Sequence, residues 1–364
     1  MFRFGDPGGR IYGAVGASNV NLLALWTGFG GSQAGQTWSV QASGGRLTGN
    51  SSLRLATPGS NLTSTLTKTL DNQATWGIAF AFKTAALPSV AVALVAWQEG
   101  GTTQVDLRHN LDGTLQVTRN GTVLATSSNA LAAGSYYHIE FKTKIDPSAG
   151  TYEVRVNGSS TGWIAPATGQ NTRATSNSWA NVLAIGKGTG TNGGVNFDFD
   201  DLIVWDAQTT DANGFTDISD FIGDCGLLWL LPSAAGTTTQ FTPDSGSNYA
   251  RVNEATPDGD TSYVGSNTVG QIDTYSLGDL PLTATAVKTV AQVHYVRKDD
   301  LGPRGIKAEL RSSGGNAAHA TEAALGTSYI YTFSNWGRNP NNGSPIAWTP
   351  AAVNTLEAGQ QISS

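Results

Sequence analysis

The sequence predicts an all-β protein made of two antiparallel β-sandwich, jelly-roll domains, and three observations carry that expectation. Glycine accounts for 45 of 364 residues, well above the usual share of roughly 7%, and shows no collagen-like period. Charged residues make up only 13%, about half the usual share of roughly 25%. Between residues 105 and 158, segments of strict apolar–polar alternation follow one another across turn signals. That is the pattern of an antiparallel sheet with one buried face. A second sheet must cover that face, hence a sandwich.

Each element follows from local chemistry. VDLRHN, TLQVTR and TVLATSS, within 105–128, predict three strands joined at LDG and NG. Asn120-Gly121 suits a two-residue type I′ turn, because both positions tolerate positive φ. In SYYHIEFKTKI (135–145), Tyr137, Ile139, Phe141 and Thr143 alternate with His138, Glu140 and Lys142. In TYEVRVNG (151–158), Tyr152, Val154 and Val156 alternate with Glu153 and Arg155. Further strands are expected at 52–56, 76–84, 90–98, 181–186 and 196–206.

The polar, turn-rich stretch 207–220 sets a boundary between domains 1–210 and 211–364. In the second domain GDCGLLWLLPSAAG (223–236) is expected to open a run of strands. AVKTVAQVHYVRK, GIKAELRSS and SYIYTFSNW read as strands, the first with Val287, Val290, Val293 and Tyr295 alternating across a bulge. One short helix is expected in WTPAAVNTLEAG (348–359), with Thr349 as N-cap and Pro350 at the first helical position.

Composition also narrows the function classes. A net charge of −6 without long basic runs disfavours nucleic-acid binding. No secretory leader is expected, and no apolar run reaches the ~20 residues of a membrane span, so membrane insertion is not expected. The lone Cys225 leaves no intramolecular disulfide and no cysteine-based zinc site, and reads as a buried small residue.

The conspicuous chemical feature is GVNFDFDDLIVWD (194–206), with Asp198, Asp200, Asp201 and Asp206. Glycoside hydrolysis with retention needs two carboxyl groups about 5–5.5 Å apart, and Asp198 with Asp200 meets that by i, i+2 spacing. The alternation is imperfect, since Asp201 shares a face with Phe197 and Phe199. A bulge or a hydrogen-bonded aspartate is expected there, with a backbone or Arg/Lys partner if Asp201 is buried.

GTGTNG (188–193) matches a dinucleotide-loop pattern, but a strand-like segment follows it where that fold needs a helix. Asp112, Asp258 and Asp260 could donate to calcium, yet read as turn residues. His109, His138, His294 and His319 lack catalytic company in sequence and are expected at exposed strand or loop positions. No catalytic, cofactor-binding or metal residue is therefore assigned, no cofactor is expected, and the chain reads as non-enzymatic. Of ten tryptophans, Trp76, Trp97, Trp205 and Trp229 are expected in packing. Trp163, Trp179 and Trp336 sit in loop-like contexts, where glycan stacking or subunit contact is expected.

Two resemblances add to this. HNLDGTLQVTRNGTVLATSS, GSYYHIEFKTKIDPSAGTYEVRVNG and FDFDDLIVWD together resemble the concanavalin-A-like or laminin-G-like jelly roll over roughly residues 20–206. The retaining glucanases of that fold carry E-x-D-x-x-E on a strand, which is missing here. FIGDCGLLWLLPSAAGTTTQFTPDSGSNYARVNEATPDGDTSYV, with VRKDDLGPRGIKAELRSSGG and WTPAAVNTLEAG, resembles tailed-bacteriophage structural proteins that add a C-terminal β-domain. The resemblance implies a virion component, a tail, fibre or head-surface decoration subunit, assembled in the bacterial host cytoplasm. Its implied partners are other virion proteins, copies of itself in a trimer, and host surface polysaccharide. Alternatives are a virion-associated polysaccharide depolymerase and a lectin-type receptor-binding protein.

Overall fold

The computed structural model describes residues 28–30, 37–41, 44–46, 52–61, 65–188, 191–207, 220–254 and 257–364. They fall into two compact units, the first ending with 220–227 and the second running from 228 to 364. Residues 208–219, inside the expected boundary stretch, lie outside the described residues.

The first unit is a sandwich of two seven-stranded antiparallel sheets. Its strands are β1 (Gly28–Gly30), β2 (Thr37–Gln41), β3 (Ser52–Asn61), β4 (Thr65–Gln73), β5 (Thr75–Thr84), β6 (Val92–Glu99) and β7 (Thr102–His109). They continue with β8 (Thr114–Arg119), β9 (Thr122–Ala130), β10 (Tyr137–Lys144), β11 (Gly150–Val156), β12 (Ser159–Gln170), β13 (Ala180–Gly188) and β14 (Thr191–Asp206). One sheet runs β1-β4-β13-β6-β7-β8-β9, and the other β12-β11-β10-β5-β14-β3-β2. The last strand of the unit, β14, is thus inserted between β5 and β3 in the middle of its sheet, as a jelly roll requires.

The alternation read from sequence sets the inner faces. On β10 and β11, Ile139, Phe141, Val154 and Val156 enter the core. Trp76 of β5 and Trp97 of β6 stack between the sheets at 5.1 Å and 12°, and the Trp76 indole donates to the Ala180 carbonyl at 3.1 Å. Phe82 packs against Phe197 at 6.0 Å and Phe199 at 5.4 Å. The β8–β9 turn has φ of +43° at Asn120 and +89° at Gly121, as the primed turn demands.

Histidines depart from expectation. His109 is fully buried, its ring edge-on to Phe82 at 5.6 Å. Burial lowers its pKa to about 4, so it serves as a neutral core residue. His138 and His319 are each 1% exposed. His109 continues the inward phase of Val105 and Leu107 on β7, whereas His138 lies on the outward phase of β10 with Glu140 and is buried there beside Arg46 and Asp224.

In the second unit, β15 (Pro232–Thr239), β16 (Thr242–Pro243), β17 (Val264–Gly265), β18 (Ile272–Leu277), β19 (Val290–Val296) and β20 (Gly305–Ser312) come first. Then follow β21 (Gly315–Ala318), β22 (Ala323–Ala324), β23 (Ile330–Trp336), helix α1 (Pro350–Asn354) and β24 (Glu357–Ile362). A sheet ordered β15-β18-β24-β20-β21, with β22 also on β20, accompanies a two-stranded ribbon of β19 and β23. Leu310, Trp336, Trp348, Val353 and Leu356 form its core. Helix α1 starts as expected, with Thr349 Oγ1 accepting from Ala352 N at 3.1 Å and proline at its first turn. GDCGLLWLL is not a strand: among the described residues the first strand after the boundary begins at Pro232, and Trp229 is 38% exposed. No described helix is long and apolar enough to cross a membrane.

The central strand β5 is lined on its outer face by Gly77, Ala79, Ala81 and Lys83, and the Trp205 indole lies over Gly77. A Cβ at Gly77 would come within 2.1 Å of Trp205 Cε2. Gly77→Ala should therefore lower the stability of this unit by about 1–3 kcal/mol in urea unfolding. Gly101→Ala, where a Cβ meets nothing within 4 Å, should leave it nearly unchanged.

Candidate functional site

The acid-rich strand β14 forms a site by its own irregularity. Up to Asp200 its partners on β5 are in phase, with Phe199 opposite Phe82 and Asp200 opposite Ala81. The register then shifts, so that Ile203 faces Ala79 and Val204 faces Ile78. Asp201 sits in this bulge with φ +49°, the left-handed conformation that Asp and Asn tolerate best after glycine. The expected bulge is present, and it moves Trp205 to the outer face and Val204 into the core.

Asp201 is fully buried, and it has both of the partners expected of a buried carboxylate. Arg46 Nε donates to Oδ2 at 3.0 Å, and Leu227 N donates to Oδ1 at 2.8 Å. Asp200, also fully buried, accepts from Arg46 N at 2.8 Å and Asp201 N at 2.8 Å. Asp198 takes a two-pronged grip from Arg54, at 2.6 and 2.9 Å, with Lys83 at 3.4 Å.

From β10, Glu140 Oε1 accepts from Ile222 N at 2.7 Å and Gly223 N at 3.1 Å. The Arg155 guanidinium lies 3.9 Å from the Phe221 ring centroid, and Arg46 also binds Asp224 and the Cys225 carbonyl. Residues 220–227 are thus laid along the outer face of the sheet by carboxylates. The N–H groups of Ile222, Gly223 and Leu227 find these acceptors and not a strand ladder, so GDCGLLWLL reads as a strand but does not form one.

This geometry assigns the aspartate cluster a structural role. Burial, with Asp201 next, raises Asp200 to about 6; burial raises Asp201 and Glu140 too. Burial also lowers His138 to about 4 and pushes the Cys225 thiol up to about 12. Asp198 and Asp200 are i, i+2 neighbours on β14, but their oxygens are occupied by the protein's own donors. Of the calcium candidates, Asp112 closes its turn on Thr114 N at 3.0 Å, Asp258 accepts from Ser262 N at 3.1 Å, and Asp260 pairs with Arg297 at 2.8 Å.

An open site lies elsewhere in the same unit. A polar hollow of about 340 Å³ is lined by Arg119, Asn120, Thr122, Asn171, Arg173 and Ala174. The β8–β9 hairpin supplies one wall and the loop after β12 the other. Two buried polar side chains fix that loop. Thr172 Oγ1 donates to the Lys144 carbonyl at 2.6 Å and accepts from Asp146 N at 2.9 Å. Gln104 Oε1 accepts from Ala174 N at 2.6 Å, while its amide donates to Thr175 Oγ1 at 2.6 Å, Asn177 O at 2.9 Å and Trp179 O at 3.1 Å. Both anchors are fully buried, so Arg173 is held between two fixed points. Arginine is charged at every accessible pH. The lining can bind and neutralise an oxyanion.

Of the tryptophans singled out from sequence, Trp179 is half-buried at the end of this loop. Trp163 lies in β12, half-buried against the core. Trp336 is 1% exposed in the second unit, its indole donating to Gln292 at 2.8 Å. Arg119, Arg173, Gln104 and Thr172 carried no signal in the sequence.

No protein-family model and no curated protein matches the chain. Solved structures do match. The alginate lyase Aly36B aligns with 12% identity and TM-score 0.39 over 54% of this chain and 94% of its own. The alginate lyase AlgAT5, of polysaccharide lyase family 7, aligns with 13% identity and TM-score 0.32 over 42% and 77%. A Trypanosoma rangeli sialidase aligns with 12% identity and TM-score 0.30 over 50% and 34%. Another sialidase is matched over only 16% of its length, so the chain spans a minor part of these sialidases. Likeness at this level concerns the β-sandwich fold. The non-enzymatic expectation is corrected to this extent: the solved structures that the chain matches are enzymes.

Two expected outcomes follow from the buried carboxylates. Asp201→Asn keeps a residue that tolerates positive φ and removes only the charge. It should cost about 2–3 kcal/mol in urea unfolding, below the 3–5 of a fully broken buried pair, because Arg46 keeps Asp224 and the Cys225 carbonyl. For Asp200 the folded pKa of about 6 lies above the ordinary value of 3.8. The folded state then holds the proton more tightly, so the contribution is complete below the ordinary value and is lost as pH rises through about 6. Measured against Asp200→Asn, the wild type should gain stability between pH 7.5 and pH 5.

Proposed function

We propose that the protein is a virion-associated polysaccharide depolymerase whose first unit grips a surface glycan at the hollow between the β8–β9 turn and the loop after β12. The observation that carries this reading is the hollow itself. It is open, lined by hydrogen-bonding side chains from Arg, Asn and Thr, and preset by the buried anchors Gln104 and Thr172. Saccharides are bound by such fixed, convergent polar groups, with little adjustment required on binding. In this reading Trp179, half-buried at the end of the same loop, and Trp163 of β12 are the aromatic residues that contact glycan or a neighbouring subunit.

The virion setting rests on the sequence resemblance. It brings other virion proteins and further copies of this chain, in a trimer, as partners, and host surface polysaccharide as the target. Purified full-length protein incubated with capsule or lipopolysaccharide of the host should release new reducing ends. Binding that persists without any release would replace the depolymerase with a lectin-type receptor binder.

A further inference from the structure

Within the first unit six arginines are described, and they divide sharply. Arg46, Arg54, Arg108 and Arg155 pair with the carboxylates of Asp201, Asp198, Asp106 and Glu153 at 2.6–3.0 Å. Arg119 and Arg173 pair with no carboxylate among the described residues, and both line the hollow. Each spends one terminal nitrogen on a backbone carbonyl, Arg119 on Asn171 at 3.4 Å and Arg173 on Ser176 at 3.2 Å. A guanidinium carries five N–H donors in a fixed fork and no acceptor, so most of each fork is uncommitted. No Asp or Glu lines the hollow, although the chain as a whole carries a net charge of −6.

In a unit whose other four described arginines each pair with a carboxylate, two largely uncommitted forks at one open, preset hollow define its ligand by charge. We infer that the hollow is a subsite for an anionic saccharide, whose ring-borne oxyanion lies between Arg119 and Arg173. This deepens the polysaccharide reading and rests on it. Asn120 and Asn171 supply amide donors and acceptors for the hydroxyls, which a bare anion would not need. The oxyanion is a uronate carboxylate or a sulfate ester; both accept two parallel N–H bonds from a guanidinium. Both arginines are half-exposed, so the attraction is screened by salt.

Full-length protein is titrated by calorimetry with three galactose-derived oligomers of equal length: oligogalacturonate, a sulfated carrageenan oligomer and a neutral galactan oligomer. At least one anionic oligomer should bind tenfold or more tighter than the neutral one, and the better of the two identifies carboxylate or sulfate. Arg119→Gln and Arg173→Gln should each weaken that binding about tenfold, and Arg173→Lys by less. Arg338→Gln, which removes the same charge from the second unit, should change nothing. Rising salt should weaken anionic binding only. Equal binding of the neutral oligomer, or unchanged binding in both glutamine variants, overturns the anionic subsite while leaving a glycan-binding protein. Absence of binding by all three oligomers, in a protein that unfolds normally, overturns the subsite. If host polysaccharide is also neither bound nor cleaved, the proposed function falls with it.

Discussion

The first unit depends on one residue in an unusual conformation. Asp201 occupies left-handed space at φ +49°, where an L-residue is held at a cost of roughly 1–2 kcal/mol. Its carboxylate offsets that cost by taking Arg46 and the Leu227 N–H. Because β14 lies between β5 and β3, a one-residue slip there reverses every side chain beyond it. The bulge lets Phe197 and Phe199 face the core before it and Val204 after it. It also sends Trp205 outward, onto the one position of β5 that has no side chain. Gly77, Asp201, Arg46 and Leu227 are four consequences of a single change of phase.

The same constraint explains why a carboxylate-rich strand in this β-sandwich is not an open catalytic pair. Buried acids must be satisfied, and here the donors are backbone N–H groups of residues that lack a ladder: Arg46, Ile222, Gly223 and Leu227. Each acid replaces a missing strand partner, so the charge cluster acts as a fastening for 220–227 along the sheet. That occupies the outer face at β14. An open polar hollow of the unit lies instead at the β8–β9 turn and the loop that Gln104 and Thr172 hold.

Much of the fold was legible because sheet alternation is a local code. The strands from 105 to 156, the Asn120-Gly121 turn, helix α1 and the bulge at Asp201 all announce themselves within a few residues. β4 and β12 did not: TLTKTLDNQ carries Lys68 on an inward position, and SSTGWIAPATGQ is rich in turn residues and pairs with β11 through shifted registers. GDCGLLWLL misled because apolar runs also cover a face without joining a ladder. Histidine burial was missed because residue type does not tell an inward phase from an outward one, as at His109, nor whether a distant segment covers an outward position, as at His138.

The hollow was invisible for a deeper reason. An arginine becomes informative by what it does not touch, and partners in this fold come from far along the chain: Asp198 for Arg54, Asp201 for Arg46. Arg119 precedes an ordinary hairpin turn and Arg173 sits in an ordinary loop; only the folded chain reveals that both keep their forks free at one place. The non-enzymatic expectation had the same weakness. It was drawn from the absence of short motifs, whereas a jelly roll brings chemistry together from separate strands and loops, so that proximity along the chain carries little of the information. A scan of adjacent residues finds the Asp198/Asp200 pair, which the fold uses for itself, and passes over two arginines of the first unit that pair with no carboxylate among the described residues.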